Sequence, residues 1–379
     1  MNKNIRQVSK QLVLLLLLSF CKQALMAQQA DKNASPATKN LLNNLHRLSG
    51  KGILFGHQDD LAYGVGWKYQ DGRSDIKELT GEFPALFGWD LSGIEKDKAE
   101  NIDGVPFSNM KNYIRQAYDM GAVNTISWHL DNPSNGKTSW DTTSNTVPNI
   151  LPGGTKHELY KSWLDKLAAF VGSLKGSDGR QIPIIFRPYH ELTGSWFWWG
   201  KKQCSAADYI ALFRFTQDYL KNSKNIHNLL YAYNVADFTS KDEYLERYPG
   251  DEYVDIISFD AYQYGAVSNG PAFIKDLTSR LGIQQEVARE HHKLAALAEF
   301  GYGEIPDPAW WTNVIWKSIQ PYNIAYLMAW RNAGYRAIEK DNHYYAPYKG
   351  QASASNFLNF YRIRQIMLQK KAAKQHLYK

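Results

Sequence analysis

Two glutamates in this 379-residue chain, Glu191 and Glu299, each close an apolar run with a carboxyl group. Glu191 ends Phe186-Arg187-Pro188-Tyr189-His190-Glu191 and leads into Gly194-Ser195-Trp196-Phe197-Trp198-Trp199-Gly200; Glu299 follows Leu294 to Ala298 and precedes Phe300-Gly301. Two carboxyl groups that converge on one glycosidic bond can divide the work. At a separation of about 5 Å one of them reaches the sugar carbon directly and configuration is retained, whereas about 6.5–9.5 Å leaves room for a water and inverts it. The proton donor must stay protonated near neutral pH while its partner is ionised, and the partner's negative charge itself raises the donor's pKa. A loop rich in tryptophan beside these charges suits a ligand with flat apolar faces and polar edges, such as a sugar.

The elements that must hold these groups repeat one grammar: an apolar run, a polar or aromatic end, a loop, an amphipathic helix. Strands are expected at Ile53–Phe55, Pro84–Phe87, Ala122–Ser127, Ile182–Phe186, Leu229–Tyr233, Val254–Ser258, Leu294–Ala298 and Ile324–Ala329. Helices are expected at Thr38–Leu48, Met110–Met120, His157–Leu174, Ala206–Leu220, Phe273–His291, Trp310–Ile319 and Asn356–Leu368. Eight such units point to an α/β chain folded as a single-domain (β/α)8 TIM barrel over residues 38–369, after a signal peptide at 1–27 and a polar leader at 28–37, and before a basic tail at 370–379. His57, Asp90, His129, His190, Glu191, Asp260, Tyr262, Glu299, Trp330 and Arg331 all fall at C-terminal strand ends, the face on which barrels carry their active sites. Glu191 on the fourth strand and Glu299 on the seventh then face each other across the mouth.

Composition narrows the alternatives. With 44% hydrophobic and 14% aromatic residues the chain can bury a large core. Lys3, Arg6 and Lys10 precede the apolar run Leu12–Phe20 and small residues at Ala24 and Ala27, the pattern of an export signal cleaved after Ala27. The protein is thus expected in the periplasm or secreted; a lipid anchor on Cys21 is disfavoured by the bulky Phe20 before it. Cys204 alone then remains, so no intramolecular disulfide is available. The formal charge of +7 falls to +3 once the four basic residues of 1–27 are set aside, and no basic stripe with interleaved aromatics is present, which argues against nucleic acid as a partner. A monomer is expected.

The run Arg187-Pro188-Tyr189-His190-Glu191 with Gly194-Ser195-Trp196-Phe197-Trp198-Trp199, together with Gly56-His57-Gln58, Ser127-Trp128-His129, Asp260-Ala261-Tyr262, Glu299-Phe300-Gly301 and Trp330-Arg331-Asn332, resembles glycoside hydrolase family 26, whose members are mostly β-mannanases. His190 is the strongest marker, because related retaining barrels generally carry Asn before the acid/base. The resemblance implies a retaining double displacement on β-1,4-mannosidic bonds of mannan, galactomannan or glucomannan, or of manno-oligosaccharides, with no metal and no organic cofactor. It implies Glu191 as acid/base, Glu299 as nucleophile and Tyr262 as the tyrosine bonded to the nucleophile. His190 would contact the axial 2-hydroxyl, Trp196 would be an aromatic platform, and His129, Asp260, Trp330 and Arg331 would touch substrate on the non-reducing side. Trp140, in the long loop 132–155, is a further candidate contact. Loop 59–74, with Tyr63, Trp67 and Tyr69, is expected to narrow the non-reducing side and favour short products such as mannobiose.

Other readings compete. Histidines and carboxylates at strand ends are also metal ligands, but no His-x-His pair ends an early strand here. A sugar-binding barrel without turnover would have no need of both glutamates. Within the family, β-1,3-xylan and mixed-linkage β-glucan are the alternative substrates.

Overall fold

The computed structural model describes residues 29–143, 145–337 and 340–379; the export segment 1–27 and Cys21 lie outside them. Eight strands run parallel: β1 Ile53–Gln58, β2 Leu86–Asp90, β3 Val123–Trp128, β4 Ile184–Pro188, β5 Leu229–Val235, β6 Ile256–Gln263, β7 Leu294–Tyr302 and β8 Ile324–Ala329. Each pairs with its sequence neighbour, and β8 returns to β1, with Leu54 opposite Tyr326 and His57 opposite Ala329, so the ring closes as a (β/α)8 barrel. Helices Phe107–Asp119, His157–Gly172, Ala206–Asp218 and Gly270–Glu290 are the longest of those that cover it.

Two cores follow from the period-two alternation of the strands. Leu54, Leu86, Val123, Ile185, Leu230 and Ile256 fill the barrel, while Ile53, Phe55, Phe87, Ile184 and Phe186 pack outward under the helices. Helix Pro36–Leu48 starts on Ser35, whose hydroxyl accepts from the Thr38 N–H, with Pro36 in the first turn. Its Leu41, Leu42, Leu45 and Leu48 belong to the interior core, so this helix plugs the N-terminal mouth of the barrel.

Among the described residues, parts of the expected polar leader and basic tail pack against the barrel. The Ala30 N–H donates to Asp255 Oδ1 at 2.8 Å, and Asp31 pairs with His227 at 2.7 Å. At the other end Ala372 and Leu377 join the interior core, and the Tyr378 hydroxyl donates to the Ala122 carbonyl at 2.6 Å. The few apolar residues that seat these ends stand among lysines and glutamines, where no periodic pattern marks them.

Other expectations shift. The helix expected over Asn356–Leu368 covers Ala354–Tyr361 instead, because Ile366–Met367 pairs with Ile53–Leu54 as a short edge strand. β6 and β7 run past Ser258 and Ala298, so that Asp260, Tyr262 and Glu299 lie within strands. β7 also carries a bulge. Phe259 faces Leu297 but the next residue, Asp260, faces Glu299, so one extra residue, Ala298, is inserted; the register against β8 slips over the same stretch. Ala296 and Ala298 point into the barrel and Leu297 points out. Strict alternation would turn Glu299 outward, and the bulge returns it to the interior.

Candidate active site

At the C-terminal mouth one carboxylate oxygen from each of Glu191, Asp260 and Glu299 lies within 4.8 Å of the others. Arg187, on β4 and 1% exposed, is the cation among them. Its guanidinium donates to Glu299 Oε1 at 2.5 Å and to Asn234 Oδ1 at 2.7 Å, and lies 3.6 Å from Asp260 Oδ2. The other oxygen of Glu299 accepts from the Tyr262 hydroxyl at 2.8 Å. Burial, with Glu299 next, holds Tyr262 well above the ordinary tyrosine range, so it stays a donor. Three acidic groups this close could approach one divalent ion, yet Asp260 and Glu299 already share the guanidinium in its place. Burial first and Glu299 second push Asp260 well above the usual carboxylate range, against the pull of Arg187. Exchanging Arg187 for Met should therefore cost roughly 3–5 kcal/mol of stability, as breaking a buried ion pair does. An unchanged denaturation midpoint would show that the guanidinium does not balance these acids.

Glu191 has a different environment. Burial is the main cause that raises its carboxyl to about 7, and the charge on Glu299 adds to it; the Trp196 indole, His129 and Arg187 act in the opposite direction. The backbone that delivers it is left-handed twice, at Tyr189 (φ 52°) and Glu191 (φ 55°), a conformation that costs a non-glycine residue about 1–2 kcal/mol. The surroundings hold the turn. The Tyr189 hydroxyl bonds Thr216 at 2.8 Å and also Tyr160, the Tyr189 carbonyl accepts from Tyr209 at 3.1 Å, and the His190 carbonyl accepts from the Trp199 indole at 2.8 Å. Trp198 and Trp199 are fully buried parts of this support. Trp196 is 39% exposed, and its ring lies where a Cβ on Gly194 would stand, 2.5 Å from that position. Its indole N–H donates to Glu191 Oε2 at 2.7 Å.

Two histidines form the next wall. His129 Nδ1 bonds Asp90 Oδ2 at 2.8 Å, and its Nε2 meets His190 Nε2 at 3.1 Å. Asp90 accepts only from donors, namely the Ser92 and His129 backbone N–H groups, the Ser127 hydroxyl and the His129 ring. His129 therefore carries a proton on Nδ1. Burial lowers His129, but the Asp90 carboxylate outweighs it and holds the ring above the usual imidazole range. His190, buried beside His129 and Arg187, falls well below that range. Trp140, 46% exposed, stacks on His129 with ring centres 5.3 Å apart and 15° between planes.

Trp330 and Arg331 follow β8. Arg331 is turned toward the loop after β2, where it pairs with Asp103, and toward His343, 3.4 Å away. The aromatics of loop 59–74 do not narrow a cleft as expected. Tyr63 and Trp67 are buried, bonded to Asp59 and Asp75 at 2.7 Å each, and the Tyr69 hydroxyl donates to the Gly104 carbonyl. Apolar residues in a long loop pack inward when acceptors are available there. His57 is likewise buried, against Asp60 at 2.6 Å.

The reading of the sequence placed Arg187 in the family-like run and Asp90 at a strand end but gave neither of them, nor Asn234, an individual role. An arginine on an otherwise apolar central strand was the available signal for the first, since charge inside a buried strand requires a partner. Nothing in the sequence marks Asn234 as the brace of that arginine.

Residues 30–349 match the model of Glycosyl hydrolase family 26. The mannan endo-1,4-beta-mannosidase of Bifidobacterium adolescentis is 38% identical over 280 residues, which is 72% of this chain and 28% of that protein. Mannan endo-1,4-beta-mannosidase A and B of Caldalkalibacillus mannanilyticus is 28% identical over 261 residues, 65% of this chain and 48% of that one. This chain thus spans well under two thirds of the length of either. Among solved structures, a GH26 beta-mannanase from Bacteroides ovatus superposes with a TM-score of 0.86 at 42% identity, covering 91% of this chain and 98% of that one. With the family model matched over most of its length and the barrel mouth built as described, the chain belongs to glycosyl hydrolase family 26.

Proposed function

We propose that this chain is a retaining β-1,4-mannanase that cleaves mannan-type polysaccharides by double displacement. The observation that carries the reading is the pair of carboxylates, one in the turn after β4 and one on β7, with oxygens within 4.8 Å, the short separation of a direct attack on the sugar carbon. Glu299, its charge matched by Arg187, attacks the anomeric carbon while Glu191 gives its proton to the departing glycosidic oxygen. The glycosyl ester on Glu299 is then cleaved by a water that surrenders a proton to Glu191, which restores both groups. The guanidinium and the Tyr262 hydroxyl hold the nucleophile in place before the sugar arrives, so little reorganisation is needed at the transition state.

In the same reading His190 and His129 take hydroxyls of the reacting sugar, with Asp260, Trp330 and Arg331 on the non-reducing side and Trp196 and Trp140 as faces for pyranose rings. Mannan as substrate is supported by the likeness to mannan endo-1,4-beta-mannosidases and by the paired histidines beside the carboxylates. A positioned polar group separates an axial from an equatorial hydroxyl better than shape does. The N-terminal pattern at 1–27 supports export to the periplasm or beyond. The lack of a basic stripe with interleaved aromatics argues against nucleic acid, and the reading takes the protein as a monomer. Reducing-end release from mannan, mixed-linkage β-glucan and β-1,3-xylan, measured side by side, tests the substrate. Mannan is expected to be cut at least about a hundredfold faster; equal or faster cleavage of either other polymer would overturn the assignment.

A further inference from the structure

The hydrogen bond between Trp196 and Glu191 constrains where a proton can sit. The indole N–H donates and cannot accept, so it needs a lone pair on Glu191 Oε2, 2.7 Å away. In a protonated carboxyl group the carbonyl oxygen is the better acceptor and the hydroxyl oxygen the donor. With Oε2 taken up by the indole, the acidic hydrogen resides on Oε1. The left-handed backbone at Glu191 and the close seat of the indole on Gly194 fix both partners.

We propose that Trp196, besides offering a face to the sugar, is a positioning residue that directs the proton of Glu191 to Oε1 and keeps that oxygen aimed at the leaving group. The proposal rests on Glu191 being the acid/base. In the first step Oε1 loses its hydrogen to the glycosidic oxygen, the C1–O bond breaks, and the resulting carboxylate keeps the indole bond on Oε2. In the second step Oε1 takes the proton of the attacking water and the hydrogen returns to its starting atom. One oxygen serves both steps, so the carboxyl group does not have to rotate between them.

The bond also favours the ionised form, because an N–H donor stabilises a carboxylate more than a neutral carboxyl. Glu191 is faced by Glu299 on β7, Asp260 and Tyr262 on β6, Tyr264 just beyond it, Arg187 on β4 and His129 after β3. None of these is changed by altering Trp196.

The test is Trp196→Phe, which keeps an aromatic face and removes the N–H. For the wild type kcat/KM on a manno-oligosaccharide should fall as pH rises through about 7, where Glu191 loses its proton. In the variant this alkaline limb should move up by roughly one pH unit, the worth of one charge-assisted hydrogen bond. At the optimum, kcat should drop roughly tenfold for a poor leaving group and little for an activated aryl glycoside, with KM changed less than kcat. An unshifted limb, or an equal loss on both leaving groups, would show that Trp196 contributes only its ring. A wild type that cuts no mannan would instead overturn the reading of Glu191 on which the proposal stands.

Discussion

A Glu299→Ala variant should lose at least about 10⁴-fold in kcat on mannan, because the covalent step has no other group to perform it. Of the other two carboxyl groups at the mouth, Glu191 is assigned to proton donation in the proposed mechanism and Asp260 is held well above the ordinary carboxylate range by burial. The substitution also strips Arg187 of one of its partners, so folding must be checked independently, and Glu299→Gln supplies the control. The amide keeps an oxygen for the guanidinium but has no charge with which to attack. Both variants should still bind manno-oligosaccharides, because the histidine wall and the exposed tryptophans are untouched. Activity within tenfold of wild type in a folded Gln variant would remove Glu299 from the mechanism.

Glu191→Ala should give the second largest effect, and one that depends on the substrate. General acid help is worth about 10²–10⁴-fold, and it is needed most when the departing oxygen is a poor leaving group. Mannan should therefore be cut slower by that factor, whereas an aryl mannoside with an activated leaving group should still transfer its sugar to Glu299. The ester would then accumulate for lack of a base to activate water, visible as added mass on the protein. Azide, which attacks without a base, should release it as a β-glycosyl azide and restore turnover. A uniform loss on both substrates with no trapped ester would contradict the assignment.

The sequence carried the barrel because period-two apolar runs and polar strand ends are local signals, and the carboxyl pair because each glutamate terminates such a run. It also suggested Trp196 and Tyr262 by type and place. What stayed hidden depends on register or on distant partners. The insertion of Ala298 that turns Glu299 inward leaves no compositional mark, since Ala296, Leu297 and Ala298 read as plain strand. Asp90 was visible as a strand end, but its bond to a ring 39 residues later was not, nor was the reach of Arg187 across the barrel from β4 to β7. Loop 59–74 misled for the opposite reason: Tyr63 and Trp67 are of the types that line sugar clefts, but Asp59 and Asp75 give their polar tips buried acceptors.

The measurement that bears most directly on the carboxylate geometry is the anomeric configuration of the first product, followed by proton NMR before mutarotation during digestion of mannan. Oxygens within 4.8 Å predict that the new reducing end appears as the β-anomer and only later equilibrates. First appearance of the α-anomer would require a water between the two groups, and the direct attack by Glu299 would have to be abandoned.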